Sequence, residues 1–130
     1  MLDKPTGDDL LLAVLHFLRN EAMPLLDGAA AFKVRVAANA LELVHREIKG
    51  AGDVEAAEAE RLTALLNQNG TIDELNRVLC EAIRSGRMDL STPGLPEHLW
   101  QTTLDKIAIE QPTYATYRSL MVQEKDEVQP

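Results

Sequence analysis

Few side chains in this sequence could do chemistry, and they are scattered. Glu42-Leu43-Val44-His45 is an E-x-x-H step. In carboxylate-bridged metal bundles such a step puts a carboxylate and an imidazole on one helix face. A bundle site needs a second step and two more glutamates from facing helices, and only this one step is present. His16 and His98 have no partner at ligand spacing, and H-E-x-x-H is absent. No metal site is expected. Cys80 is the only cysteine, which excludes an intramolecular disulfide and a cysteine metal cluster. It falls mid-helix at the edge of an apolar face, far from any helix N-terminus that could activate a thiolate. The expectation is a buried, inert thiol. There is no G-x-S-x-G and no glycine-rich phosphate loop. No catalytic residue and no cofactor is assigned.

Polar groups on apolar arcs are the more informative anomaly. Glu21 projects beside Val14 and Phe17, and Glu47 projects among Val36, Ala40 and Leu43, with Lys33 in the same arc. A charge there must be paired or reach water. Each lies within about a turn of an expected helix end, where a long side chain snorkels easily. One reading makes Glu21 and Glu47 ion-pair partners or caps. The other joins them to Arg35, Asn39 and Arg46 along a cleft between the first two helices. Those three residues stand at i, i+4 and i+11 on one stripe, with Glu42 at i+7. Two arginines so placed suit a carboxylate or phosphate, or they pair with Glu42 along the helix. Asn39, flanked by alanines, either bonds a neighbouring backbone or contacts a ligand or partner. Tyr114 and Tyr117 either fold back on their own core or cross to another chain.

The elements that must position these groups read as five helices. The first runs from about Asp8 to Ala22, with Thr6 as N-cap, Asp9 at N3 and Pro24 as terminator. The second runs from about Ala30 to Lys49 and stops at Gly50 and Gly52. Its apolar residues Phe32, Val34, Val36, Ala37, Ala40, Leu41, Leu43, Val44 and Ile48 cover more than half of its circumference. A helix on the rim of a small bundle needs a narrower stripe, so this one is expected to be central and shielded along most of its girth. Arg35, Asn39, Glu42, Arg46 and Lys49 form its polar arc, which should face away from the core along with His45. A third helix, starting after Asp53 as N-cap and reaching about Gln68, is rich in Ala and Glu and should be peripheral. Thr71-Ile72-Asp73-Glu74 is a capping box that opens the fourth, whose apolar face is Ile72, Leu75, Val78, Leu79, Ala82 and Ile83. The fifth starts near Pro96 and ends near Glu110. The fold class is therefore all-α: one domain over residues 1–114, followed by a tail over 115–130. That tail, with Glu124-Lys125-Asp126-Glu127 and a terminal proline, is expected to lack order unless Tyr114, Tyr117, Leu120 and Met121 dock.

Composition narrows the partners. The formal net charge is −8. The first 52 residues carry 6 basic and 7 acidic side chains, and the remainder 7 and 14. That balance argues against nucleic acid or an anionic membrane. The longest apolar run, Leu10 to Leu15, is far below the roughly 20 residues of a membrane span. Asp3, Lys4, Asp8 and Asp9 are too mixed for a signal peptide. A reducing cytoplasm is the expected location.

Three stretches carry a resemblance: RVAANALELVHREI (35–48), LNRVLCEAIRSGRMDL (75–90) and LDKIAIEQPTYA (104–115). Together they resemble a family of small, uncharacterised bacterial all-helical domains, over roughly Pro5 to Tyr114. Members of that family are often encoded beside acyl-CoA dehydrogenases and aminoglycoside-phosphotransferase-like kinases. The resemblance implies an accessory role near such chemistry and transfers no catalytic residue. Two functions stay open beside a small enzyme, for which no residue speaks. One is a non-enzymatic interaction domain that binds a protein partner or a second copy of itself. The other is a small-ligand module for an acyl or phosphate-bearing group, anchored by Arg35, Asn39 and Arg46.

Overall fold

The computed structural model describes residues 4–128, with side chains as far as Gln123. Asp3, Pro130 and the side chains of the Glu124–Glu127 run lie outside the described residues. The described chain is all-helical and contains no strand. Its elements are α1 (Gly7–Phe17), a π turn (Leu18–Ala22), a 3-10 turn (Met23–Leu25), α2 (Gly28–Leu66), α3 (Ile72–Arg84), α4 (Leu95–Glu110) and α5 (Ala115–Val128). Two capping boxes open α1 and α3. Asp9 N–H donates to the Thr6 hydroxyl at 3.2 Å, and Thr6 N–H donates back to the Asp9 carboxylate at 2.9 Å. The Thr71–Glu74 pair repeats this at 3.3 and 2.8 Å. Each box satisfies two orphan backbone donors. The backbone bonds hold Asp9 and Glu74 below the usual carboxylate range. Pro24 lies in the 3-10 turn, where its missing donor costs little.

The expected second and third helices are one. α2 passes through Gly50 and Gly52 without interruption, and neither glycine has a positive φ. A glycine lowers helix stability by about 1 kcal/mol relative to alanine but does not block the helical backbone. The following run, Asp53 to Glu60, is largely Ala and Glu, and propagation is favourable once a helix exists. The helix count nevertheless stays at five among the described residues, because residues 115–128 form α5. A turn closed by Tyr114 N–H on the Gln111 carbonyl leads into it, and Arg118 N–H reaches the Tyr114 carbonyl at 3.0 Å.

Two compact units divide the chain after Gly50. In the first, α1 and the opening half of α2 meet along one seam each. Along that seam Asp8 of α1 lies against His45 and Lys49 of α2, and Arg19 of the π turn lies against Asn39 and Glu42. Leu15 and Ala38 are its buried apolar residues. The predicted orientation of α2 is thereby reversed. Glu42 is half-buried and ion-paired to Arg19 of the π turn, and half-buried His45 lies 2.9 Å from Asp8 of α1, whereas the apolar arc is turned outward. Phe32 is 61 % exposed, Val36 50 %, Val44 41 % and Ile48 60 %. The shielding expected along most of this segment's girth is not found. The physical reason is complementarity: Asp8 and Arg19 stand on the inner face of the N-terminal segment, and they select the polar arc of α2.

In the second unit the closing half of α2 is the core element. Leu62 is 0 % exposed and packs with Leu75 and Leu79 of α3 and Leu95 of α4. Leu65, Leu66, Ile72 and Met88 border this cluster. α2 is thus the long, central helix, joined here to both α3 and α4. The segment expected to be peripheral holds a fully buried leucine because Val54, Glu58, Leu62 and Leu65 recur at helical spacing. That narrow stripe suffices when two helices flank it. Cys80 is exposed, not buried. It lies about 140° around α3 from Leu75, beyond the face formed by Leu75, Leu79 and Ala82.

Candidate functional site

The first unit gathers most of the polar residues singled out in the sequence. Arg19, in the π turn, donates to Glu42 through both terminal nitrogens, at 3.2 and 2.6 Å. Its Nη2 also reaches Asn39 Oδ1 at 3.3 Å. Arg46 Nη1 lies 3.7 Å from the same carboxylate. The hydrogen bond from Arg19 holds Glu42 below its usual range, and the same bond raises Arg19. Glu42 is therefore a hub between the π turn and α2. Asp8 forms a second one: its Oδ2 is 2.9 Å from Lys49 Nζ, and its Oδ1 is 2.9 Å from His45 Nε2. The Asp8 Oδ1 and His45 Nε2 atoms are shut off from solvent and make no aligned hydrogen bond. Bonding to Asp8 raises the Lys49 ammonium.

The remaining predicted site residues separate from this cluster. Arg35, Lys33 and Glu47 are exposed on α2. Glu21 is exposed, with His16 Nδ1 4.0 Å away. Tyr114 is exposed where it precedes α5. Asn39 and Arg46 are brought to Glu42, while Arg35 and Tyr114 are not. Among the described residues no group of three or more His, Cys, Asp or Glu is arranged to hold a metal ion. No helix among them is long and apolar enough to cross a membrane.

The second unit contains a cavity that sequence reasoning missed. It measures about 510 Å³ and is lined by Arg61, Ala64 and Leu65 of α2, by Pro93 and Gly94, and by Glu97, His98 and Gln101 of α4. Gly94 is the N-cap of α4 and adopts the left-handed conformation, φ 87°. A Cβ there would lie 3.5 Å from a Leu65 methyl and be strained in any case. Arg61 Nη2 donates to Asp105 at 3.0 Å and to Thr102 at 3.5 Å, which ties α2 to α4. Its Nε–H is buried without a partner. His98 is 4 % exposed, and its Nδ1 is likewise buried and unpartnered. Burial first, then the Arg61 charge, lowers the His98 pKa, against an opposing pull from Glu58. His98 is therefore a neutral imidazole at neutral pH. Glu58 is itself buried and accepts a bond from Asn76 at 3.0 Å. His98 was legible only as a lone histidine on an amphipathic helix. No spacing rule joins it to Arg61 across 36 intervening positions.

The family described as a domain of unknown function, DUF6285, matches residues 24–114. The chain belongs to this family. The DUF6285 match begins at the 3-10 turn and takes in all of α2, α3 and α4, including every cavity residue. It leaves α1 and α5 outside. No curated protein and no solved structure matches the chain.

Proposed function

We propose that this DUF6285 chain is a non-enzymatic accessory domain of the bacterial cytoplasm that works through helix faces, and that its first partner is a second copy of itself. One observation carries the reading. Among the described residues of the first unit only Leu15 and Ala38 are buried apolar ones, while the outer arc of α2 presents Phe32, Val36, Val44 and Ile48 to water. A unit so short of core gains stability when such an arc is covered.

The arc is self-complementary. A two-fold axis through Ala40, with the two α2 segments antiparallel, brings Val36 onto Val44 of the other copy and Phe32 onto Ile48. The same operation brings Lys33 onto Glu47, so the two charges within the apolar arc meet opposite charges. Such isologous pairing is the commonest form of association between identical chains. Ala40 at the crossing lets the backbones approach closely. The first 52 residues, with 6 basic and 7 acidic side chains, are nearly neutral, so two copies of this unit repel little.

The outer stripe of α1, with Leu10, Val14 and Phe17 all exposed, is left for a different protein. The family resemblance implies acyl-CoA dehydrogenases or aminoglycoside-phosphotransferase-like kinases as the class of that protein.

Sedimentation equilibrium at micromolar concentration tests the self-association. The expected species has twice the 14.4 kDa of one chain. Ala40→Glu, which would set two like charges against each other on the axis, should give monomers with unchanged far-UV circular dichroism. Lys33→Glu should weaken association by roughly tenfold, and adding Glu47→Lys should restore it. A single 14.4 kDa species of the native chain, or a charge-swapped pair no better than the single variant, overturns the proposal.

A further inference from the structure

α1 sits on α2 by a mainly polar side. Leu15 and Ala38 are the buried apolar residues of the first unit among those described. The other links are charged groups: Arg19 with Glu42, and Asp8 with Lys49 and beside His45. The Arg19 pair is about a third exposed, and Lys49 more so. Pairs so placed contribute little, because water and salt screen them. Asp8 Oδ1 and His45 Nε2 are shut off from solvent without an aligned bond, so that end of the seam carries a cost. The other side of α1 shows Leu10, Val14 and Phe17 to water. The joint to α2 is equally loose. The chain becomes extended at Leu26, φ −119° and ψ 146°, and Gly28 follows in the left-handed region at φ 56° with nothing within 4 Å of where a Cβ would stand. The family match divides the seam at the same place. It begins at residue 24, so α1 and Arg19 lie outside it, while Asn39, Glu42, His45 and Lys49 lie inside.

We propose that residues 7–25 form a releasable strap that opens from α2 as one piece about Leu26–Gly28. α2 stays helical when the strap opens, because it runs on without interruption to Leu66 in the core of the second unit. Segments held by few buried apolar contacts are the ones that open below the free energy of global unfolding. Opening adds Leu15 to the already exposed Leu10, Val14 and Phe17. The freed helix then presents apolar side chains over most of its girth, which suits an apolar groove on a partner. Opening also uncovers the polar arc of α2 at Asn39, Glu42, His45 and Lys49. The strap rests on the reading that α1 serves a different protein. It does not depend on self-association, which uses the opposite arc of α2.

Amide hydrogen exchange of the full-length chain, read by mass spectrometry, tests the strap. Amides of residues 8–18 should exchange about tenfold or more faster than those of 34–48 on α2, and faster again than those of 75–83 on α3. Arg19→Gln removes the bonds to Glu42 and Asn39 and should speed exchange at 8–18 about two- to fivefold. Leu15→Ala should speed it about thirtyfold. Both variants should leave 75–83 unchanged. Val14→Ala, on the outer side, should alter 8–18 by less than about twofold. The inference fails if 8–18 and 34–48 exchange at equal rates in the native chain, for the first unit then opens as a whole. It fails equally if the seam variants speed 75–83 as much as 8–18. Sedimentation of the same samples keeps the two readings apart: a monomer whose 8–18 segment opens first retains the strap and removes the self-association.

Discussion

Leu62→Ala is the sharpest test of how the second unit is built. The side chain is fully buried among Leu75, Leu79 and Leu95, in a segment whose sequence looks peripheral. Truncation removes three carbons. At about 0.8 kcal/mol each, the lost transfer energy is about 2.4 kcal/mol. The void left behind adds a further amount, up to about 1.5 kcal/mol if the three surrounding leucines do not collapse. The expected loss is about 2.5–4 kcal/mol, or roughly 10–15 °C in the melting temperature of a chain this size. Trp100 is the only tryptophan and stands on α4 in the same unit, so its fluorescence during urea unfolding reports this unit directly. Leu90→Ala is the control: Leu90 is 77 % exposed and should change stability by less than about 0.5 kcal/mol. If Leu62→Ala costs less than about 1 kcal/mol, the packing described for the end of α2 is wrong.

Further expectations concern the continuity of α2 and the two titrating groups. A Cβ at Gly52 would meet nothing within 4 Å, so Gly52→Ala should stabilise by about 0.5–1 kcal/mol and raise the 222 nm ellipticity; destabilisation would mean that α2 breaks at the glycines. Glu42→Gln removes the charge that Arg19 binds, and because the pair is about a third exposed the cost should be only about 0.5–1 kcal/mol. Glu42 titrates below its ordinary value of 4.5 in the folded chain, so its contribution is present above that pH and is lost as pH falls through the depressed value. The stability gap between native chain and variant should therefore close in acid, and a gap unchanged down to the acid limit would contradict the pairing. His98 titrates below 6.5 when folded, so the unfolded chain takes up its proton first and stability declines as pH drops below 6.5. His98→Asn should flatten that slope in urea titrations between neutral pH and mild acid; equal slopes would refute the buried neutral imidazole.

Much of the fold was legible in local chemistry. Thr6 with Asp9, and Thr71 with Glu74, mark helix starts because the bonds they make span only three residues. The face of α3 followed from period alone for Leu75, Leu79 and Ala82, all of them buried. Two features were not legible for the same physical reason, which is that long-range partners decide them. The apolar arc of α2 predicts a buried face, but Asp8 and Arg19 bind the opposite arc, and nothing within α2 encodes that choice. Gly50 and Gly52 read as a stop because glycine is common at helix ends, yet the strong helix formers after them carry the backbone through. In the same way Glu42, Asn39 and Arg46 share a stripe that periodicity reveals, while the group they meet, Arg19, comes from another element. The Arg61–His98 cavity needs α2 and α4 together, and no spacing within one helix announces it.

The outward position of Cys80 on α3 gives this protein a single chemical address. Maleimide or iodoacetamide reagents will modify one defined sulfur on the native chain, without engineering and without mixed products. A dye attached there forms an energy-transfer pair with the lone indole on α4. A biotin attached there tethers the chain by its second unit, with the helices of the first unit unmodified and free to engage whatever they bind.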